Sequence, residues 1–455
     1  MVHVGSAAGV VRTDDAQAMD SPRRLLTGCR RKVHVHAMRS RALSVARVIA
    51  GPGLVRFRRL RGRAAARRDP ITSDGRGYIS VVIPVHNVAP YIDACLESVL
   101  GQSHWRLQVI AVDDASDDDT PQRLQRWSAR DRRVSIVTRA TSAGPNAARN
   151  EGIARATGEY LTFVDGDDLL LAGAYRDAVA SLAASDSDFA VASYERLSGS
   201  RRTPPAFWIR DAHAVPRSRA TLKSAPDIMV NAVQWTKVYK REFWSRAQLV
   251  FPVDGFYQDQ IVSAAGFARA RAFDILGRTS VLWRIRRDGT SMTQLYRSID
   301  NLRDRFSSAT AALHIYRDEA PHGVWQQRLV QFLSNDLAIT ASHIGELDDA
   351  GWEVVRRGLH QMAEEADEFS LWSDVPAEFK VLFHFISIND RARALEYIER
   401  GGLRLHDHQL VTVGGDTFIA LPFWKDHEAA VPVDRFRASP RELRAFEGQA
   451  SGNPS

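Results

Sequence analysis

Four times between Ile79 and Asp168 an apolar, β-branched run stops at a polar cluster, and a stretch of helical periodicity separates each run from the next. The runs span residues 79–85, 107–112, 134–138 and 160–164, and they end respectively at His86-Asn87, Asp113-Asp114, Arg139 and Asp165-Gly166-Asp167-Asp168. Between them Tyr91, Ile92, Cys95, Leu96 and Val99 share one helical face, Leu124 and Trp127 mark a second helix, and residues 146–156 form a third, stopped by Gly158. Strands of period two alternating with helices of period 3.6 predict a mostly parallel α/β sheet covered on both faces. Ligands of such sheets sit beyond the carboxyl ends of the strands, so the four polar exits define one candidate site.

The last exit carries the strongest chemical demand. Asp165, Asp167 and Asp168 fall within four positions, directly after a run of buried-strand character. Packed neighbours limit hydration there while like charges repel, so a bound divalent cation would relieve both costs. Hard ions such as Mn²⁺ or Mg²⁺ take carboxylate oxygens and bridge the oxygens of a diphosphate. A single Asp-x-Asp would carry little weight, because Asp pairs also build turns and helix caps. The weight comes from four exits meeting at one edge.

At 455 residues, with 44% hydrophobic and 25% charged residues, the chain has material for two or three domains. Residues 1–77 hold 17 Lys and Arg against 5 Asp and Glu, a net of +12 in a chain total of +7, which leaves −5 for the rest. Basic character therefore belongs to the leader alone. Residues 1–76 are expected to be a solvated, disordered leader, with Met19 and Met38 as alternative starts; the competing reading is an arginine-rich anchor for anionic lipid headgroups. Nucleic-acid binding is not expected, since no aromatic platform or binding motif accompanies the charge. Neither a membrane span nor a signal peptide is apparent, and only Cys29 and Cys95 occur. A cytoplasmic protein, alone or at the inner face of the membrane, is expected. Cys95 lies on an apolar helical face and is expected in the core.

Four blocks, S-V-V-I-P-V-H-N, V-D-D-A-S-D-D-D-T, A-G-P-N-A-A-R-N-E-G and G-E-Y-L-T-F-V-D-G-D-D, occur in this order with room for a helix between each pair. Together they resemble the nucleotide-sugar domain of the family 2 glycosyltransferases, which have the glycosyltransferase A-type fold. The resemblance covers about residues 78–292. It implies that Pro84 lines the nucleotide pocket, that Asp114 accepts a hydrogen bond from uracil, and that Arg149 lies near the diphosphate. It also implies that Asp167 is the principal metal ligand and that Asp165 faces ribose and metal; Asp168 is left a supporting or helix-capping role.

Further along, N-A-V-Q-W-T-K-V-Y-K-R-E-F-W resembles the acceptor-side segment, with Lys237 against donor phosphate or acceptor. In F-P-V-D-G-F-Y-Q-D-Q-I-V the family's usual Glu-Asp pair is replaced by Gln258-Asp259. Asp259 is the implied catalytic base, with Asp254 a poorer substitute. Losing an acidic neighbour removes a like charge that would raise the pKa of Asp259, so a weaker base is expected. V-L-W-R-I-R-R-D-G-T-S-M-T resembles the segment that closes over the diphosphate, with Arg284, Arg286, Arg287 and Ser291 as candidates.

Beyond residue 295 the apolar residues recur at helical spacing, among them Leu302, Phe306, Ala309 and Leu313, and such stripes are expected to be core. A β element follows, with strands at 403–413 and 417–421 about a Gly414-Gly415 turn. His406 and His408 would then share a strand face, too few for a metal site without a third ligand. The expected organisation is a leader (1–76), a catalytic domain (77–295), a helical region (296–400), a small β element (401–448) and a disordered tail (449–455). This arrangement resembles bacterial wall teichoic acid and capsular polysaccharide glycosyltransferases. It implies an inverting, metal-dependent hexosyl- or N-acetylhexosaminyltransferase using a UDP-sugar, a glycan or polyol-phosphate acceptor, and a helical region that guides a long acceptor or mediates oligomerisation. The alternatives are a non-catalytic sugar-nucleotide or glycan-binding protein on the same fold, and a transferase making a lipid-linked sugar.

Overall fold

Every residue of the first strand, β1 (Ile79–Val85), is buried, as a strand covered on both faces must be. It pairs in parallel with β2 (Leu107–Asp113) and β4 (Tyr160–Phe163), and β2 pairs in parallel with β3 (Val134–Thr138). The computed structural model describes residues 77–286 and 297–450, with side chains to 447, so the leader, Arg287 and Ser291 lie outside the described residues.

Strict alternation divides the side chains of β1. Ile79, Val81, Ile83 and Val85 pack with Ile92, Cys95, Leu96 and Val99 of α1 (Ala89–Leu100) and with Leu124 of α2 (Thr120–Arg130). Val82 faces the other way, toward α3 (Gly144–Ala154), where Ala148 packs with Ile110 and Val112. The ladder runs on into the polar exits: Asp114 N donates to Val85 O at 2.9 Å and Arg139 N to Asp113 O at 2.9 Å. That register places the exits side by side on one edge.

The remaining strands are β5 (Leu169–Leu170), β6 (Phe189–Ser198), β7 (Arg201–Thr203), β8 (Arg217–Ala220), β9 (Lys237–Lys240) and β10 (Phe273–Arg284). The sheet runs β3-β2-β1-β4-β9-β6-β10-β5, with β7 on β6 and β8 on β10. Along that path β9 is antiparallel to both neighbours, β6 and β10 are parallel, and β5 closes antiparallel, so four of seven pairings are parallel. Helices α4 (Ala174–Ser185), α5 (Phe207–Ala212), α6 (Arg241–Arg246) and α7 (Asp259–Arg269) complete this part. Phe163, Trp244 and Phe251 pack with ring centroids 5.2–5.8 Å apart, and each such pair adds about 0.5–1.5 kcal/mol beyond its area.

The helices that follow begin with α8 (Ile299–Glu319), α9 (Val324–Gln331) and α10 (Leu337–Ser342), with a π-helical turn over Phe332–Asp336. They continue with α11 (Asp349–Glu368), α12 (Ala377–Ser387) and α13 (Arg391–Glu399). Side chains cap three of them: Ser298 accepts from Asn301 N, Asp348 from Gly351 N and Asp390 from Arg393 N. Leu302, Phe306 and Leu313 share one apolar cluster with Phe163, Phe189 and Phe251 of the sheet domain. The helical region is therefore fused to the sheet domain through a continuous core.

The terminal β element is shorter than expected: β11 (Leu410–Val413) and β12 (Asp416–Ile419) flank Gly414 and Gly415 at φ +60° and +89°, as a two-residue hairpin turn requires. His406 lies in a 3₁₀ turn and His408 Nε2 meets Gly401 O at 2.9 Å, so the two do not share a strand face. The last helix, α14 (Pro440–Ala450), returns to the helical region through Glu442, whose carboxylate accepts from Ala377 N and Ser439 N. Among the described residues no helix is long and apolar enough to cross a membrane.

Candidate active site

The turn after β4 folds tightly, with Asp168 N donating to Asp165 O at 3.0 Å. Gly166 is required there by contact: a Cβ would lie 2.8 Å from Val85 Cγ1. The turn aims its carboxylates differently. Asp165 accepts from Arg149 at 2.7 Å and keeps 31% of its side chain exposed. Asp167, 12% exposed, accepts from Arg286 at 2.6 Å, while its backbone oxygen accepts from Arg284 Nε at 2.7 Å. Asp168 is fully buried; one oxygen accepts from Arg284 N at 2.7 Å and the other has no hydrogen-bond partner among the described residues. Asp168 thus ties the end of β10 to the turn and caps no helix.

Burial holds the Asp167 carboxyl above its usual range, with Asp165 adding to the rise and Arg286 opposing it. Burial, then repulsion from Asp167 and Asp165, pushes Asp168 up further. This is the strain foreseen for three carboxylates at a packed strand end. Among the described residues no three His, Cys, Asp or Glu side chains are arranged to hold an ion. The donor chemistry nevertheless suits a hard cation, since Asp165 and Asp167 offer carboxylate oxygens from one turn and, among the described residues, the buried Asp168 Oδ2 beside them in the chain has no hydrogen-bond partner.

Arg149, buried on α3, organises the centre. It donates to Asp165, donates to Asn146 Oδ1 at 2.7 Å, lies 3.8 Å from Asp259 and sits 5.3 Å over the Phe251 ring. It therefore joins the turn to the expected base. Asp259 opens α7, keeps 24% of its side chain exposed and accepts weakly from Gln234 N at 3.3 Å. Burial raises its pKa, Arg149 opposes that and Asp165 adds to it. Desolvation thus pushes the Asp259 carboxyl upward even with the uncharged Gln258 beside it. Gln258 itself is buried and donates to Asp254 O.

Two expected contacts turn inward. Asp114 is 2% exposed, pairs with Arg139 at 2.9 Å and accepts from Ser142 Oγ, Ala143 N and Gly144 N. It shapes the loop ahead of α3. Lys237 is 1% exposed and donates to Asn231 O and Val233 O at 2.8 and 2.7 Å. Burial pulls its pKa down to about 7; a neutral amine has two N–H groups for those two carbonyls. These bonds tie it to the loop that carries Gln234. Pro84 pairs with Val112 inside the sheet, one residue before the edge.

Some contributors escaped the sequence reading. Tyr91, assigned to the buried face of α1, instead is half-buried with the guanidinium groups of Arg284 and Arg286 over its ring at 5.1 and 5.6 Å. Asn150 donates to Phe251 O at 2.7 Å and accepts from Phe251 N at 3.0 Å, pinning the loop before α7. Its place beside Arg149 in A-A-R-N-E-G was the available signal.

Comparison with known proteins gives a consistent picture. Residues 80–244 match the family described as Glycosyl transferase family 2. The uncharacterized glycosyltransferase EpsJ of Bacillus subtilis (strain 168) is 28% identical over 209 residues, 45% of this chain and 60% of that protein. A poly(ribitol-phosphate) beta-glucosyltransferase of Bacillus spizizenii is 26% identical over 338 residues, 71% of this chain and 50% of that protein. The chain thus spans between half and three-fifths of the length of these relatives. The crystal structure of S. aureus TarS 1-349 in complex with UDP-GlcNAc superimposes with a TM-score of 0.61 at 19% identity, covering 75% of this chain and 96% of that one. At that identity the likeness concerns the fold.

Proposed function

Residues 80–244 make up a glycosyl transferase family 2 domain, and from that premise we propose that this chain is an inverting glycosyltransferase that moves a sugar from a UDP-sugar to a polyol-phosphate or related cell-envelope polymer. The observation that carries the reading is the link through Arg149, which brings the Asp165 turn and Asp259 to one centre from segments 94 positions apart. One carboxylate group faces a donor diphosphate there, and the other is a partly exposed base with a raised pKa.

Asp259 takes the proton of the acceptor hydroxyl as that oxygen attacks the anomeric carbon from the face opposite the nucleotide. The bond to the diphosphate breaks in the same displacement, so no covalent sugar intermediate or protein nucleophile is required. Arg284 and Arg286, held over Tyr91 at the end of β10, offer positive charge to the leaving diphosphate. Asp165 and Asp167 would hold a divalent cation, Mn²⁺ or Mg²⁺, which when bound supplies Lewis-acid neutralisation of the diphosphate. The names of the Bacillus spizizenii relative and of S. aureus TarS, a poly(ribitol-phosphate) beta-N-acetylglucosaminyltransferase, support poly(ribitol phosphate) as the first acceptor to test.

The test has two arms. Thermal shifts with UDP, UDP-glucose and UDP-GlcNAc, each with and without Mn²⁺, measure donor binding through stabilisation of the native state. Transfer of labelled sugar to poly(ribitol phosphate) measures catalysis. Donor-induced stabilisation together with transfer supports the proposal; no stabilisation by any uridine nucleotide would sink it. Stabilisation without transfer to any envelope polymer would favour the sugar-nucleotide-binding alternative.

A further inference from the structure

The turn that delivers Asp259 is built by the helical region. Between Asp254 and Asp259 two residues have left-handed backbones, Gly255 at φ +85° and Tyr257 at φ +60°. For Tyr257 that conformation is unfavourable and persists only where its surroundings enforce it. The enforcing contacts come from one face of α8. Asp304 Oδ2 accepts from Phe256 N at 2.9 Å, and Ser308 Oγ donates to Phe256 O at 3.1 Å. Tyr257 Oη donates to Asn301 Oδ1 at 2.7 Å, and the Arg305 guanidinium stacks 4.3 Å over the Tyr257 ring while donating to its hydroxyl. Asn301, Asp304, Arg305 and Ser308 follow the three- and four-residue spacing of a helix face, beside the apolar stripe of Leu302, Phe306 and Ala309.

The fit around Asp304 is close on two sides. A Cβ at Gly255 would fall 2.8 Å from Asp304 Oδ2 and 2.9 Å from Gln258 Nε2. Only glycine lets the chain pass that near the carboxylate, and only then does Phe256 N point at it. The next residues start α7, with Asp259 as its first residue. A rotation of the turn would therefore move the base relative to Arg149 and Gln234.

We propose that Asp304 is a positioning residue for Asp259, so that the polar face of α8 belongs to the catalytic centre. This rests on the reading of Asp259 as the base. Asp304 holds Phe256 N, the held turn sets the first residue of α7, and Asn301, Arg305 and Ser308 keep Tyr257 and Phe256 in the conformation that Asp304 selects.

The test uses the full chain with Asp304→Ala, Asp304→Asn and, as a control of general destabilisation, Val355→Ala in the buried core of α11. Transfer from UDP-GlcNAc to poly(ribitol phosphate) gives kcat and KM, UDP titration gives donor affinity, and hydrogen exchange follows residues 254–259. Because a misplacement of about 1 Å can cost about 100-fold in rate, Asp304→Ala is expected to lower kcat by roughly 10- to 100-fold. Donor affinity should stay within about twofold, while exchange at Phe256 accelerates. Asp304→Asn keeps an oxygen acceptor for Phe256 N and should restore most of the rate. The inference fails if Asp304→Ala retains kcat, if Val355→Ala loses kcat equally, or if exchange at 254–259 is unchanged. If the wild-type chain transfers no sugar at all, the proposed function fails instead, and the exchange arm alone decides whether Asp304 holds the turn.

Discussion

Arg286 Nε donates to Asp167 Oδ2 at 2.6 Å, with 18% and 12% of the two side chains exposed. The carboxylate expected to be the principal metal ligand is thus neutralised by an arginine two residues past the end of β10. The pairing answers the repulsion among Asp165, Asp167 and Asp168 when no cation is present. It also stores a positive charge where a diphosphate would arrive, and a donor that brings its own cation would free Arg286 to turn to phosphate oxygens. Arg286→Ala should therefore bind Mn²⁺ more tightly in the absence of nucleotide, because one competitor for Asp167 is gone. It should bind UDP about tenfold or more weakly, the loss expected for a charge-assisted hydrogen bond of about 1.5–3 kcal/mol. Calorimetric titration of each ligand separately decides it: unchanged UDP affinity would place the diphosphate elsewhere.

Asp259→Asn should leave UDP affinity close to wild type while transfer falls by about 10²–10⁴, the usual share of a general base. The pH profile gives a second reading. A base must be ionised, and burial raises the pKa of Asp259 above the ordinary 3.8 while Arg149 holds it down. The rate should accordingly rise with pH through an acid limb lying above the ordinary carboxylate range. Arg149→Lys, with a less well placed charge, should move that limb to higher pH. A limb at the ordinary position in wild type would mean that Asp259 is hydrated and is not the group that titrates.

Much of this centre was legible because its signals are local. The run 79–85 is buried on both faces and so reads as a strand that is apolar but for Ser80, and the Asp165–Asp168 turn announces itself by charge density within four positions. β9 was not legible: four residues, two of them lysines, carry no periodicity, and only its neighbours β4 and β6 make it a strand. Lys237, expected against donor phosphate or acceptor, carried no sequence sign that its amine would bond to Asn231 O and Val233 O. The contacts of Asn150, flagged only by its place in A-A-R-N-E-G, and of Asp304 were hidden for another reason. Their partners lie 101 and 48 positions away, and no residue type by itself announces a bond to a distant backbone. The stripe of α8 was rightly taken for core through Leu302 and Phe306, but the polar stripe beside it had no signature before the turn at 255–257 was placed.

Stability should depend on pH through Glu378. Burial first, and the neighbouring Glu442 charge second, push its pKa from an ordinary 4.5 up to about 8. The folded state then holds a proton that the unfolded state has released at intermediate pH. This contribution is fully present below about pH 4.5 and is lost as pH rises through about 8. Glu378→Gln keeps a neutral, hydrogen-bonding side chain at every pH and should flatten the fall in Tm between those values. Parallel Tm curves for the two proteins from pH 5 to 8 would show that Glu378 is hydrated and does not contribute to the slope.

Gly152 tests how closely α3 must lie on the sheet to carry Arg149. A Cβ there would meet Val82 Cγ1 at 2.4 Å and Val112 Cγ2 at 3.3 Å, both in buried strand positions with little room to move. Two effects oppose each other in Gly152→Ala. Helix propensity favours alanine by about 1 kcal/mol, while overpacking a closed interface costs about 1–3 kcal/mol. The 2.4 Å approach is to a β-branched side chain fixed between two neighbouring strands, so overpacking should win and Tm should fall. Since α3 also presents Arg149 to Asp165 and Asp259, the displaced helix should weaken UDP binding and slow transfer together. A more stable Gly152→Ala protein with unchanged kinetics would mean that the helix rides on the sheet with slack, and that the position of Arg149 is set by its carboxylate partners alone.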